Sequence, residues 1–278
     1  MSTSIDQAFI KQFEKEVHMA YQRQGSKLRN TVRTINNVNG SSAVFQKIGK
    51  GTASTKSTHG MVPVMNLDHS NIEVILEDFY AGDWIDRLDE LKLNIDERQV
   101  IAAAGASALG RKTDELILSA LEDASSNTIA DGNEGMTKAK ILEAFEMFGE
   151  ADVPDDGQRF CIVGWKQWSE LLTIEEFINA DYVGTDSLPF SGVTQAKMFL
   201  GTLFIPHSGL PVDENDIRSC FWYHKTAVGH ASASDVETDV TWHGDRAAHF
   251  VNNMMSQGAG LIDEAGVIVI NCDETPDA

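Results

Sequence analysis

Five of the eight histidines, His207, His224, His230, His243 and His249, fall in the last third of the chain among many carboxylates. Histidine and carboxylate together can hold a divalent metal or pass protons, which is the chemistry of a metal-dependent hydrolase. Spacing argues against it. Only His243 and His249, separated by five residues, come close to a ligand pair, and Tyr223-His224 and Trp242-His243 read better as polar tips beside core aromatics. Cys161, Cys220 and Cys272 are odd in number and lie 59 and 52 residues apart, which suits neither a disulfide framework nor paired thiolates. They read as small buried hydrophobes. Gly49-Lys50-Gly51-Thr52 imitates the tail of a phosphate loop, but Val44 stands where its first glycine belongs. No nucleophile elbow, paired-histidine helix motif or dinucleotide fingerprint occurs. The expectation is no catalytic residue, no metal and no cofactor, with a cytosolic metal-dependent hydrolase using the C-terminal histidines as the alternative and an acidic regulator or adaptor behind it.

The elements that carry these residues are more telling than the residues. Residues 1–60 hold nine Lys/Arg against three Asp/Glu, whereas residues 61–278 hold thirteen against thirty-nine. A basic arm of net +6 thus precedes an acidic body of net −26. The acidic body disfavours general nucleic-acid binding, which is driven by cations along the phosphates. In the arm, Phe9, Phe13, Val17, Ala20 and Tyr21 recur at three- and four-residue spacing and predict a helix over about residues 4–24 with one apolar stripe. Residues 39–60 are Gly/Ser/Thr-rich and offer that stripe no nearby partner, so it must be buried on a remote surface of the body or on another subunit. The opening residues have charges of both signs and no apolar core of a secretory leader, and the run Val100–Gly110 is too short to span a bilayer.

Further along, Val62 and Val64, then Ile72, Val74 and Leu76, predict two strands around a turn at Asp68–Asn71, together an extended flap. Asp83 is placed to cap a short helix carrying Trp84, Ile85, Leu88 and Leu91. Helical spacing from about Asp96 to Ala124 predicts a rod of roughly 43 Å, at 1.5 Å per residue. Gly105 and Gly110 within it each cost about 1 kcal/mol relative to Ala, and either weaken the helix or mark close packing against another backbone. Residues 125–135 read as a connector, and Thr137 caps a helix closed by Gly149. Residues 159–163 read as a buried strand and Trp165–Leu172 as a helix with Trp165, Trp168 and Leu172 inward. Residues 197–206, 220–223 and 267–270 are further strands. The order is α+β, with strands too scattered for a repeating βαβ unit.

This succession resembles the major capsid proteins of tailed bacteriophages, with their HK-ninety-seven-like shell fold. The resemblance rests on the arm, the basic Gly/Ser/Thr-rich loop, the helix IDERQVIAAAGASALGRKTDELILSALEDA and the segment RFCIVGWKQWSELL. It rests also on the C-terminal runs GTLFIPHSGLP, CFWYHKTAVGHASASDVETDV and GAGLIDEAGVIVINC. It implies an N-terminal arm over 1–42, an extended loop over 43–79, a peripheral domain from 80–130 and 236–278, and an axial domain from 131–235. It implies self-assembly into hexamers and pentamers of an icosahedral head that encloses double-stranded DNA without sequence-specific binding, away from membranes. The head would be assembled in the bacterial cytoplasm with a portal and, in some shells, a cement protein. No long extension precedes the arm, so a separate scaffolding protein is expected. Charge suggests that Lys47, Lys50 and Lys56 on the loop meet Asp83, Asp86, Asp89 or Glu90 of an adjacent subunit, while Phe9, Phe13, Val17 and Tyr21 make the arm's contact. Some relatives cross-link a loop lysine to asparagine; Lys56 with Asn252 or Asn253 is the formal candidate, but no catalytic glutamate is identifiable, and no cross-link is expected.

Overall fold

The computed structural model describes residues 25–90, 97–178 and 197–275, and divides the chain into two compact units. The larger comprises Ser26–Glu77, Thr113–Ser234 and Ser256–Ala278; the smaller comprises Met1–Gly25, Asp78–Lys112 and Asp235–Met255. The helical arm expected over 4–24, with Phe9, Phe13, Val17 and Tyr21, lies outside the described residues.

The larger unit is built on a six-stranded mixed sheet. Its order is β5 (Thr128–Ile129), β12 (Val267–Asp273), β9 (Ile217–His224), β6 (Arg159–Val163), β8 (Thr202–Pro206) and β7 (Lys197–Phe199). The central strands carry continuous apolar runs, FCIV, CFWY and VIVI, because both of their faces are covered. Helix α3 (Lys138–Glu150) supplies Ile141, Ala144 and Phe148 to that core, and α4 (Trp165–Leu171) supplies Trp168 and Leu171. Ile117, Leu118 and Leu121 of α2 (Glu97–Glu122) belong to the same cluster. Cys161, Cys220 and Cys272 are buried and free on β6, β9 and β12, as expected of small hydrophobes.

A second, smaller core in this unit joins the hairpin of β2 (Ser42–Ile48) and β3 (His69–Ile75) to Ala231 and Ile262 through Ala43, Phe45 and Val74. β1 (Arg33–Asn36) lies parallel to residues 229–232 at the start of β10 (Val228–His243). The smaller unit contains β4 (Glu77–Asp86) from Asp78 onward, α1 (Arg87–Glu90), the first turns of α2, the end of β10 and most of β11 (Ala248–Leu261). Its strands neighbour one another in the order β10, β11, β4.

Several expectations require correction. His69–Asn71 belong to β3, which pairs with β2 and not with residues 62–64, so residues 49–68 form one long loop closed by Gly49 N–H donating to Asp68 O at 2.8 Å. Alternation in Val62 and Val64 imitated a strand that has no neighbour to pair with. Trp84 and Ile85 lie in β4; the helix begins at Arg87, and Asp86 accepts from Leu88 N–H at 2.7 Å in the capping role expected of Asp83. Trp165 is half-exposed, at the first turn of α4; Trp168 and Leu171 are buried in the core and Leu172 packs against it, as expected. Residues 197–206 are two strands, turned at Leu200 and Gly201, both with positive φ, as a two-residue hairpin requires. Thr137 caps α3 through its side-chain oxygen, as the sequence indicated.

The glycines of α2 mark close approaches. A Cβ on Gly105 would lie 2.1 Å from Asn253 Nδ2 and 3.1 Å from the Ala81 carbonyl, and one on Gly110 would lie 2.7 Å from the Gly25 backbone. Asn253 is fully buried, donating to Ala81 O at 3.2 Å and accepting from Thr238 Oγ1 at 2.6 Å. Gly105→Ala is therefore expected to destabilise the chain by about 1–3 kcal/mol in thermal or urea melts, despite Ala's better helix propensity. A gain of about 1 kcal/mol would show that the contact has room.

Candidate assembly surface

The charged residues expected on the flap are deployed in two ways. Lys47 Nζ pairs with Asp263 Oδ1 at 2.8 Å, and Lys50 Nζ pairs with Asp152 Oδ2 at 2.9 Å while also donating to Ala151 O at the C-terminal end of α3. Both pairs lie within one chain and fix the base of the loop. Lys56 is exposed at its far part. Beyond it the loop presents Met61, Val62 and Val64 at 94, 74 and 83% exposure. Soluble surfaces scatter single apolar residues, but a contiguous run this exposed marks an interaction site. Asp83 and Asp86 are exposed on β4; Asp89 and Glu90 end α1. The structure thus does not gather the four acidic residues on one helix.

The described chain starts from a buried clamp. Asp114, on α2, accepts from Ser26 Oγ at 2.6 Å, from the Lys27 and Leu28 amides at 3.1 Å each, and from His207 Nε2 at 3.1 Å. Gly209 N–H donates to His207 Nδ1, so the proton of this neutral imidazole sits on Nε2 and points at the carboxylate. Burial alone raises the Asp114 carboxyl's pKa, but the bonds from His207, Ser26, Leu28 and Lys27 overrule it and hold the group below the ordinary aspartate range. No sequence motif announces this hub, whose partners are separated by 86 to 93 residues.

A second clamp holds the end of the chain. Arg218 Nε and Nη2 donate to the two oxygens of Glu274 at 2.6 and 3.0 Å, and Gln167 Nε2 adds a third bond at 3.0 Å. The Arg218 pairing draws the Glu274 carboxyl below the usual glutamate value of 4.5. A carboxyl held down in the folded state stabilises it above the unfolded value and loses that stabilisation as pH falls through the folded value. Acid titration of Glu274→Gln is therefore expected to show a shallower loss of stability below about pH 4.5 than the unaltered chain, measured as melting temperature against pH; coincident curves would contradict it.

The histidines take structural roles. His207 is in the Asp114 clamp, His224 lies between Asp156 at 3.1 Å and Thr226, and His230 donates to Gln257 Oε1 at 3.1 Å in the interior. His243 and His249 sit edge-on to Trp84 and Trp242. Among the described residues no group of three or more His, Cys, Asp or Glu is arranged to hold a metal. The hydrolase alternative is not supported. Asn253, the formal cross-link partner of Lys56, is consumed by its own buried bonds.

A spine helix, a mixed sheet and a hairpin that carries a long exposed loop define a fold found in phage heads. Superposition on the capsid of the cyanophage P-SCSP1u gives a TM-score of 0.74 at 17% identity, covering 99% of this chain and 96% of that one. Mycobacterium phage Che8 gives 0.72 at 16%, covering 94 and 97%, and the capsid of Ralstonia phage GP4 gives 0.72 at 13%, covering both chains fully. No curated protein sequence matches. The model of the phage capsid protein family matches residues 5–274, and this chain belongs to that family. It is a shell protein of the virion with the HK-ninety-seven-like α+β fold.

Proposed function

We propose that this chain forms the hexamers and pentamers of an icosahedral head around double-stranded DNA, and is assembled in the host cytoplasm on a separate scaffolding protein with a portal and, in some shells, a cement protein. In this reading residues 1–42 reach beneath one neighbour and residues 43–79 lie over another. Residues 131–235 face the capsomer centre. The periphery is built from 80–130 and 236–278, although β12 of the latter span is a strand of the six-stranded sheet.

The observation that carries this reading is the loop's unburied apolar run, Met61 to Met65, at the end of a hairpin whose own base is anchored by Lys47–Asp263 and Lys50–Asp152. Burying each such side chain is worth about 1.5–3 kcal/mol, and a shell repeats the gain at every subunit. The acidic body limits the trapping of packaged DNA on protein. Because Lys47 and Lys50 have partners in their own chain, Lys56 is the loop lysine left to meet Asp83 or Asp86 of a neighbour.

Replacing Met61, Val62 and Val64 together with serine tests the reading. The melting temperature of the soluble subunit should stay unchanged, since these groups are already in water, while the yield of closed particles should fall at least tenfold. Undiminished yield would overturn it. Lys56→Glu should weaken assembly and alter its salt dependence; no change in either would remove the charge contact from the account.

A further inference from the structure

Side chains alternate across the strands of the smaller unit, and its two sheet faces meet different surroundings. Ile85 of β4 and Val251, Asn253 and Met255 of β11 are buried on the side of α2, where Lys112 Nζ lies 5.4 Å from the centre of the Phe79 ring and Gly105 makes room for Asn253. The opposite face holds Tyr80, Gly82 and Trp84 of β4, with Phe250, Asn252 and Met254 of β11 beside them and Glu237 and Asp239 of β10 beyond. Trp84 and Phe250 stack there at 4.6 Å, and a Cβ on Gly82 would meet the Phe250 ring at 2.7 Å. This face lies open among the described residues: Tyr80 is 67% exposed, Trp84 is 37% exposed, and Phe250 and Met254 are half-buried. An antiparallel sheet can leave one face in water, but that face is ordinarily polar, so a row of aromatic and apolar side chains marks it as an interaction surface.

Charge narrows the occupant. The strand residues 78–86, 235–243 and 248–255 include no Lys or Arg, while Glu237 and Asp239 are exposed. At the end of the face Arg246 lies 4.4 Å from the centre of the Trp84 ring and shares a cleft of about 360 Å³ with Asp86 and Glu97. Two carboxylates against one guanidinium leave that cleft negative. An apolar, cationic segment complements such a surface. Residues 1–24 do not supply one, since their three Lys/Arg are balanced by three Asp/Glu. Residues 49–67 contain Lys50 and Lys56 and no acid, and they hold Met61, Val62 and Val64 out in water. Pro63 in the middle of that run has no N–H to lose and keeps its neighbours extended, the form in which aromatic surfaces receive a chain segment.

We propose that the open face of the β4–β11–β10 sheet is the landing surface for residues Met61–Met65 of a second copy of this chain, with Tyr80 as the apolar anchor and Lys56 of that copy entering the cleft at Asp86 and Glu97. The proposal rests on the self-assembly reading above and names the surface that the loop reaches. Loop and sheet face are different patches, so the contact is heterologous and, repeated, closes into a ring if the rotation permits.

The two faces of the sheet provide the test. Tyr80→Ser should cut the yield of closed particles at least tenfold at an unchanged subunit melting temperature, whereas Val240→Ser, an exposed apolar site on the face toward α2, should leave the yield within about twofold. Val62→Cys combined with Tyr80→Cys should join subunits covalently in particles treated with copper phenanthroline as oxidant, read on non-reducing gels; Val62→Cys combined with Val240→Cys should not. The chain's own cysteines are buried and free and give the background. Normal assembly of Tyr80→Ser, absence of the Val62–Tyr80 cross-link, or cross-linking through the Val240 site in its place overturns the proposal. If Met61, Val62 and Val64 can all become serine without loss of particles, the loop reading itself fails; if that variant loses its particles while Tyr80→Ser keeps them, the landing surface alone is wrong.

Discussion

Replacing Asp114 with alanine is expected to destabilise the subunit by about 3–5 kcal/mol, the cost of removing one side of a buried, fully bonded charge site. The change leaves Ser26 Oγ, the Lys27 and Leu28 amides and His207 Nε2–H pointing into a space where no acceptor remains. In a protein of this size the apparent melting temperature should fall by roughly 10 °C. Asp114→Asn keeps the volume and one acceptor oxygen, and should cost visibly less. Because the folded carboxyl sits below its ordinary value, the stabilisation it gives the unaltered chain is present above the unfolded value and is lost as pH falls through the folded one. The difference between the unaltered chain and Asp114→Ala should therefore be greatest near neutrality and shrink in acid. Equal melting curves at neutral pH would show that the clamp does not hold residues 26–28.

The second large effect is expected at Lys140. Its ammonium is buried beneath α3 and lies 2.7 Å from the carbonyls of Asp131 and Glu134, and 2.9 Å from those of Gly135 and Asn271. Three N–H donors thus serve four oxygens, tying the connector 131–135 to strand β12. Lys140→Met fills the space but leaves those carbonyls facing a thioether, and bonds from a charged donor are worth about 1.5–3 kcal/mol each, though not additively. A loss of about 3–5 kcal/mol in urea unfolding is expected. Lys140→Arg should not rescue it, because a planar fork cannot reproduce a tripod aimed at four converging oxygens. A methionine variant as stable as the unaltered chain would mean that water replaces the ammonium freely.

Both hubs show where reading the chain stops. Local signals carried far: the periodicity of α2, the Thr137 cap and the run RFCIV are all inscribed in neighbouring residues, whereas Gly105 and Gly110 hinted at close approach without naming Asn253, Ala81 or Gly25 as what approaches. Pairing did not. That β3 would take β2 as its partner across a twenty-residue loop depends on Phe45 and Val74 meeting Ala231 and Ile262, which no local window contains. Trp84 fits an amphipathic helix as well as a strand and was settled by its place in the sheet beside β11. The candidate surface was legible in part. The loop's charge and extended character could be read, but Lys47 and Lys50 found acids at Asp263 and Asp152 in their own chain, 216 and 102 residues away. Nothing in the local sequence around Lys140 reveals the four carbonyls that converge on it.

The account stands most directly on the size of the purified chain in solution, read by native mass measurement together with electron microscopy. It predicts capsomer-sized and megadalton closed particles that lose their yield when Met61, Val62 and Val64 become serine. A stable monomer at every concentration and salt, with or without a scaffolding partner, would contradict it.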